Sequence, residues 1–152
     1  MFKIKYLYKI VAGFPYALAL SLPAAAAQFS FAAMGDTPYV LPEDFERFGR
    51  VIARINAARP AFTLHVGDIK PGNRPCSDEH FIKISDMFAT FNQPLIYTPG
   101  DNEWTDCHRA DNGAYDPIER LGKLRALFFA DPARSLGREK IALEHQGADA
   151  RD

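Results

Sequence analysis

The sequence predicts an α/β fold, a β-α-β-α-β sheet with covering helices, and three observations support this prediction. Apolar runs of strand length alternate along the chain with longer segments in which apolar residues recur every three or four positions. A Gly-Asp pair follows each of three such runs, and the aspartates are 32 and then 33 residues apart (68 − 36 and 101 − 68). Because one strand-helix-strand unit takes roughly 30 residues, this interval is typical of repeated units that build a parallel sheet. The pairs are Gly35-Asp36, Gly67-Asp68 and Gly100-Asp101.

The first unit contains two strands and the helix between them. Residues 29–34 form a short apolar run, which predicts a strand. Residues 42–59 have the pattern of a helix, with acidic residues in the first turn and arginines later, as the helix dipole favours. Pro60 ends this helix, and residues 61–66 form the second strand. The buried stripe of the helix is expected to be Phe45, Phe48, Ile52 and Ile55.

The second unit and the element after it follow the same pattern. Residues 70–75 contain two prolines and a glycine, which predicts a loop. A helix begins near Ser77, a good N-cap, and residues 95–98 form the third strand. The last element, residues 116–130, is a helix with Pro117 in its first turn. The inward-facing residues expected on these two helices are Phe81, Ile84, Phe88 and Phe91, and then Ile118, Leu121, Leu124 and Phe128.

The two ends of the chain differ from the predicted domain, residues 28–135. Residues 1–27 have a basic start, an apolar stretch and a run of alanines, which is the pattern of a secretory signal peptide. The apolar stretch is shorter than the ~20 residues of a membrane span, so we expect cleavage after Ala27 and export to the periplasm or medium, with no membrane association afterwards. The last stretch, residues 144–152, is polar with only scattered alanines, and we expect the tail, residues 136–152, to be poorly ordered.

Charge and cysteine content narrow the classes of function. Removing the first 27 residues takes away three lysines and no acid, so the net charge moves from −1 to −4. A mildly acidic chain lacks the basic footprint of a nucleic-acid-binding protein. Cys76 and Cys107 are the only cysteines, and an oxidising compartment favours a disulfide between them. Two free thiols are the alternative, and no cysteine-rich zinc pattern is present.

The three aspartates are the candidate chemistry of the chain. Right-handed crossovers place consecutive parallel strand ends at one edge of the sheet, which is where ligands bind in such sheets. Carboxylates a few ångströms apart raise each other's pKa, and a divalent cation removes the repulsion. Asp36, Asp68 and Asp101 are therefore candidate metal ligands. The alternative is that each Gly-Asp pair is simply a turn.

The motifs Gly35-Asp36-Thr37-Pro38, Gly67-Asp68 and Pro99-Gly100-Asp101-Asn102-Glu103 resemble those of the calcineurin-like metallophosphoesterases. The hallmarks of that family are Asp-x-His, Gly-Asp-x-x-Asp/Asn and Gly-Asn-His-Asp/Glu, and the resemblance covers residues 28–109. It implies the first half of a metallophosphoesterase-type α/β/β/α sandwich. It also implies divalent metal ions, two in the intact family fold (Mn, Fe, Zn or Mg), and a phosphate-ester substrate.

The resemblance also implies roles for individual residues. Asp36 corresponds to a ligand of the first metal, and Asp68 to the carboxylate that bridges two metals. Asp101 takes the place of an Asn ligand, and Asn102 replaces a catalytic His and would contact the phosphate. His108 is a candidate substitute for a missing imidazole, although a solvated loop histidine is the alternative.

The sequence departs from the family pattern in ways that keep a second function open. Pro38 replaces a ligand His, and Lys70 and Pro71 lie where the second motif would continue with an acid. Only His108 and His145 follow the third motif, so we expect an N-terminal half that does not turn over alone. The alternative function is a non-catalytic exported fragment or binding module. A half-domain would also expose one sheet face and self-associate through it.

Overall fold

The structure, a computed structural model, describes residues 29–40 and 42–145. The expected signal peptide and the last seven residues of the expected tail lie outside this part of the chain. No helix within it is both long and apolar enough to cross a membrane. The elements in chain order are β1 (Ala32–Met34), α1 (Glu43–Ala58), β2 (Thr63–His65), α2 (Asp78–Phe88), β3 (Leu95–Tyr97), two single-turn 3-10 helices (Thr105–His108 and Ala110–Asn112) and α3 (Pro117–Phe128).

The sheet is parallel, and its strands lie in the order β1-β2-β3. Met34 pairs with His65, and His65 pairs with Tyr97. All three strands therefore end at the same level, and the Gly-Asp pairs follow at one edge of the sheet. This confirms the α/β class and the parallel sheet, and the face-to-face sandwich implied by the family resemblance stays a prediction.

One face of the sheet packs against the helices and forms the core. His65 on β2 and Tyr97 on β3 point into this face and contact the ring of Phe88 from α2, with centroids 5.2 and 5.3 Å away. Most of the predicted helix stripes are buried here, which confirms the periodicity argument. The buried stripe members are Phe48, Ile52, Phe81, Ile84, Phe88, Phe91, Leu124 and Phe128.

Helix α3 corrects two positions of the predicted core, because Leu121 is only partly buried and lies outside the core cluster, and Ile118 is exposed. Ile118 is 70% exposed, whereas Arg120 is buried. The buried row of α3 runs through Arg120, Leu124 and Phe128, which are four residues apart and share a face. Ile118 lies two residues before Arg120 and so faces the opposite side of the helix.

The other face of the sheet is apolar and largely exposed among the described residues. Phe31 is 54% exposed and Val66 is 51% exposed, and the ring of Phe62 stacks on Phe31 at 5.2 Å. Parallel sheets are usually covered on both faces. This face is the one through which the sequence predicts self-association, and that association stays a prediction.

The first part of the expected poorly ordered tail is attached to the sheet instead. Leu136 exchanges two backbone hydrogen bonds with Leu95, and Leu143 donates to the carbonyl of Ala133. The backbone of β3 is otherwise unpaired on this side, and edge groups of this kind attract a further segment. Residues 136–143 include Leu136, Ile141 and Leu143, so this stretch is less polar than the rest of the tail and pairs with the strand edge.

Candidate metal centre at the carboxyl edge of the sheet

The turns after β2 and β3 are packed against each other through glycines. A Cβ atom at Gly67 would lie 2.2 Å from the backbone nitrogen of Gly100, and one at Gly100 would lie 2.0 Å from Asp68 Oδ1. No larger residue fits at either position. Gly67 also has a φ of 94°, which glycine adopts at no steric cost. The two Gly-Asp pairs are thus needed for close approach of the two turns.

Tyr39 connects the predicted site residues. Its hydroxyl oxygen lies 3.0 Å from Asp36 Oδ1 and 3.1 Å from Asp68 Oδ2. The same oxygen accepts a hydrogen bond of 3.1 Å from Asn102 Nδ2. The two carboxylate oxygens are therefore no further apart than the sum of the first two distances, 6.1 Å. The hydroxyl has one proton and can donate it to only one of the two carboxylates. The other carboxylate has no donor from this hydroxyl, so a cation between the two would be favourable.

The environment of Asp68 also disfavours its negative charge. Burial raises the pKa of Asp68, and the charges of Asp101 and Asp36 raise it further, while hydrogen bonds from Tyr39 and the backbone of Asn102 lower it. Asp68 Oδ1 is buried and has no hydrogen-bond partner in the described structure. A buried carboxylate oxygen without a donor is costly. A cation at this oxygen would remove that cost.

Glu103 links the turn after β2 to the turn after β3 through hydrogen bonds. Its side chain is fully buried, and Oε1 accepts hydrogen bonds from the backbone of Asp68 at 3.1 Å and of Gly100 at 2.7 Å. The hydroxyl of Tyr97 donates a third bond of 2.8 Å to the same oxygen. Burial raises the pKa of Glu103. The carboxylate thus fixes the backbone from which Asp68 projects.

Asn102 is held by the loop that follows β2. Its Nδ2 donates to the carbonyl of Lys70 at 3.2 Å, and its Oδ1 faces Gly72, where a Cβ would lie 2.9 Å away. The predicted disulfide between Cys76 and Cys107 is present, with Cα atoms 5.8 Å apart. Both sulfurs pack against the main-chain carbonyl of Asn102, at 3.4 and 3.7 Å. The disulfide therefore supports the position of Asn102.

Two further predicted site residues lie outside this cluster. Asp101 is exposed, and its main-chain oxygen caps the following turn by accepting from Trp104 and Asp106. Its carboxylate influences Asp68 through charge alone. His108 is exposed, and its Nδ1 lies 2.6 Å from the carbonyl of Thr105 in its own turn. The structure thus brings together Asp36, Asp68 and Asn102, and it does not bring His108 to them.

The donor set differs from the one predicted. Among residues 29–40 and 42–145, no three His, Cys, Asp or Glu side chains are close enough to hold a metal ion together. The groups that do converge are two carboxylates, a carboxamide and a phenol, from Asp36, Asp68, Asn102 and Tyr39. Asp36, Asp68 and Tyr39 offer oxygen atoms, which suit hard cations such as Mg²⁺ or Mn²⁺, whereas Asn102 turns its Nδ2 toward the cluster. The carboxylates of Asp36 and Asp68 are thus the groups here that could hold a divalent ion.

Two buried basic groups lie beside the cluster. Lys70 is fully buried, and burial lowers its pKa to about 8 while Glu103, Asp106, Asp68 and Asp111 oppose this shift. His65 is fully buried and accepts a hydrogen bond from the backbone of Gly67 at 3.2 Å, as expected for a core histidine. Burial lowers the pKa of His65 to about 4, so this imidazole is neutral at pH 7.

Sequence reasoning missed Tyr39 as a site residue. Its position in the sequence could have indicated it, because Tyr39 follows Asp36 by three residues within the turn that the first motif predicts. The burial of Lys70 has no comparable signal, because a lysine at the start of a loop that contains two prolines is expected to be solvated. Glu103 belongs to the third motif, but the motif does not indicate that its side chain joins two turns.

Comparison of the chain with protein-family models, with curated proteins and with solved structures finds no match in any of the three.

Proposed function

We propose that this chain is a metal-dependent hydrolase of phosphate esters of the calcineurin-like type, exported to the periplasm or medium. The proposal rests on one observation. Asp36, Asp68 and Asn102 come from the turns after three successive strands, and all three meet at one hydroxyl group. A structural turn needs no such convergence of acids. The disulfide adds support for export, because such bonds persist in oxidising compartments.

The residues of the cluster divide into ion-holding and substrate-orienting groups. A divalent metal ion (Mn, Mg, Fe or Zn) would supply Lewis acidity and a nucleophilic water for attack on phosphorus. Asp36 and Asp68 would hold this ion, and Asp101 would add its negative charge at the exposed rim. The Asn102 amide already donates a hydrogen bond towards this point, so it would donate to a phosphoryl oxygen once Tyr39 turns aside.

The lack of an imidazole in the cluster limits the expected rate. His108 is the only predicted candidate for assisting the leaving group, and its ring is engaged in its own turn. General acid–base assistance contributes typically 10²–10⁴-fold to catalysis. The missing histidines predict no turnover by this half alone, but because two carboxylates and an amide converge at the Tyr39 hydroxyl, we expect metal binding to be readily measurable and turnover to be slow.

A second candidate function is a non-catalytic exported binding module. An open groove of about 570 Å³ lies along α2, away from the aspartates, and is lined by Phe45, His80, Ile82 and Lys83 among others. It shares no residue with the cluster around Tyr39. A binding module predicts a ligand in this groove and no tight metal site at Asp36 and Asp68.

Metal titration of the purified chain separates the two functions. We expect stoichiometric binding of Mn²⁺ by calorimetry and slow, Mn²⁺-dependent hydrolysis of a generic aryl phosphate. Asp68→Asn removes a carboxylate charge of the site and should abolish both. The variant should still fold, because Asn tolerates the left-handed backbone found at this position (φ 57°). Asp86→Asn, an exposed change on α2, is the matched control and should alter neither. Wild-type protein without a tight site, or activity that persists in Asp68→Asn, would refute the hydrolase.

A further inference from the structure

We infer that Tyr39 is an autoinhibitory gate, whose hydroxyl group holds the carboxylates of Asp36 and Asp68 closed until a divalent ion displaces it. The inference rests on the proposed function and concerns how that same site is regulated. It starts from a side chain that has to leave the site before Asn102 can reach a phosphoryl oxygen.

The hydroxyl of Tyr39 occupies the space between the two carboxylates. Its oxygen lies 3.0 Å from Asp36 Oδ1 and 3.1 Å from Asp68 Oδ2, and it accepts a hydrogen bond of 3.1 Å from Asn102 Nδ2. A cation held by both carboxylates needs the oxygen lone pairs towards which this hydroxyl points. The ion and the hydroxyl proton therefore compete for the same oxygen atoms.

The backbone that carries Tyr39 is fixed by the start of α1. Asp44 is buried, and its Oδ2 accepts hydrogen bonds from the backbone nitrogens of Tyr39 at 3.0 Å and of Val40 at 2.6 Å. The other carboxylate oxygen of Asp44 pairs with Arg47 at 2.9 Å. The turn thus keeps the hydroxyl aimed at the site. Because the Tyr39 side chain is only partly buried, the site opens by rotation of this side chain towards solvent.

Opening the gate breaks specific hydrogen bonds. The hydroxyl loses its bond to a carboxylate, and Asn102 Nδ2 loses one acceptor while it keeps the carbonyl of Lys70 at 3.2 Å. Hydrogen bonds to ionised groups are among the stronger ones, so a bound ion has to offset this loss. A divalent ion gains more from two carboxylates than a monovalent one. The gate therefore favours divalent ions over the monovalent salts of the medium.

One acceptor stays available to the ion while the gate is closed. Asp68 Oδ1 is buried and has no hydrogen-bond partner in the described structure. The hydroxyl of Tyr39 contacts the other oxygen of this carboxylate, so closure leaves Asp68 incompletely satisfied. This unmet need favours replacement of the hydroxyl by a cation.

The test is a calorimetric titration of Mn²⁺ into wild type and Tyr39→Phe. The variant keeps the ring and removes the hydroxyl, so no hydrogen bond to the carboxylates has to be broken. It should therefore bind Mn²⁺ about tenfold more tightly than wild type. Tyr115→Phe, the same change in a ring that packs on Arg120, is the matched control and should bind Mn²⁺ as wild type does.

Tyrosine difference absorbance gives a second readout, which follows the gate itself. The absorbance of a phenol changes when its hydrogen bond to a carboxylate is lost. Addition of Mn²⁺ should therefore produce a tyrosine difference spectrum in wild type and in Tyr115→Phe, and none in Tyr39→Phe. The signal should saturate at the same Mn²⁺ concentration as the heat of binding.

The sign of the Tyr39→Phe effect separates a gate from a ligand. Loss of a competing hydroxyl strengthens Mn²⁺ binding, whereas loss of a ligand weakens it. A folded Tyr39→Phe with unchanged or weaker Mn²⁺ affinity overturns the inference alone and leaves the metal site in place. If Tyr39→Phe does not fold by circular dichroism, wild type decides, and Mn²⁺ binding without a tyrosine signal overturns the inference. If neither form binds Mn²⁺, the proposed function is refuted as well.

Discussion

The helix-covered face of the sheet and its carboxyl edge lie next to each other but differ in the residues that form them. The covered face is an aromatic core, in which the Phe88 ring contacts those of Phe48, Phe91 and Phe128. The edge gathers charged groups, including a fully buried lysine and glutamate and an aspartate oxygen that lacks a donor. An apolar core serves stability alone. Burying a charged group with too few hydrogen-bond partners lowers the stability of the fold. The edge is therefore the part of the molecule where a bound ligand is expected.

The largest expected effect tests the covered face. Phe88→Ala removes the central ring of the core and should lower the free energy of unfolding by about 3–5 kcal/mol. Urea unfolding followed by circular dichroism measures this loss. Ile118→Ala is the matched control, because Ile118 is exposed on α3, and it should change stability by less than about 0.5 kcal/mol. Similar losses in the two variants would mean that the core is placed wrongly.

The disulfide comes next and links stability to the edge. Replacing Cys76 and Cys107 by serine opens a loop with a sequence separation of 31, which should cost about 3–4 kcal/mol. Because both sulfurs pack against Asn102, the variant should also bind Mn²⁺ more weakly at temperatures where it remains folded. Reduced wild type is the control and should match the variant. Full stability and unchanged Mn²⁺ affinity in the variant would show that the bond supports nothing at the edge.

The buried imidazole of His65 predicts a dependence of stability on pH. Burial lowers its folded-state pKa to about 4, so the unfolded chain takes up the proton first, near the ordinary value of about 6.5. Stability should be intact above that pH and fall by up to about 3 kcal/mol as the pH drops towards 4. The measurement is urea unfolding from pH 7 to 4, with His65→Gln expected to flatten the curve. The exposed change His108→Gln is the control, and a flat curve in wild type would contradict the prediction.

The smallest effect on stability is expected on the uncovered face of the sheet. Phe31→Asn should lower the free energy of unfolding by only about 1 kcal/mol, because Phe31 is 54% exposed and loses mainly its stacking on Phe62. It should nevertheless reduce self-association, since it interrupts the apolar patch shared with Phe62 and Val66. Sedimentation velocity of wild type and variant measures this. A wild-type chain that is monomeric at all concentrations would refute association through this face.

The covered face could largely be predicted from the sequence, because it depends on local periodicity. The spacing of Phe48 and Ile52, and of Phe81, Ile84 and Phe88, is enough to identify the buried sides of α1 and α2. The exceptions are on α3, where Arg120 is buried while Ile118 is exposed and Leu121 lies outside the core cluster. Periodicity identifies the apolar side of a helix, but it does not show which turns of that helix other elements pack against.

The edge could be predicted only in outline. The three Gly-Asp pairs locate it, because glycine permits the close approach of the turns at Gly67 and Gly100. The placement of Tyr39 over two carboxylates and the burial of Lys70 depend on contacts between distant segments, and no local pattern encodes them. The attachment of Leu136 to Leu95 has the same origin, since it follows from the unpaired edge of β3.

The most direct test of the metal site is a crystal structure of the chain grown with Mn²⁺ and measured at a wavelength where manganese scatters anomalously. We expect a single anomalous peak between the carboxylates of Asp36 and Asp68, with the Tyr39 hydroxyl moved from its present position between them. An edge without any peak, with Tyr39 still bonded to both aspartates in the presence of Mn²⁺, would contradict the proposed metal site.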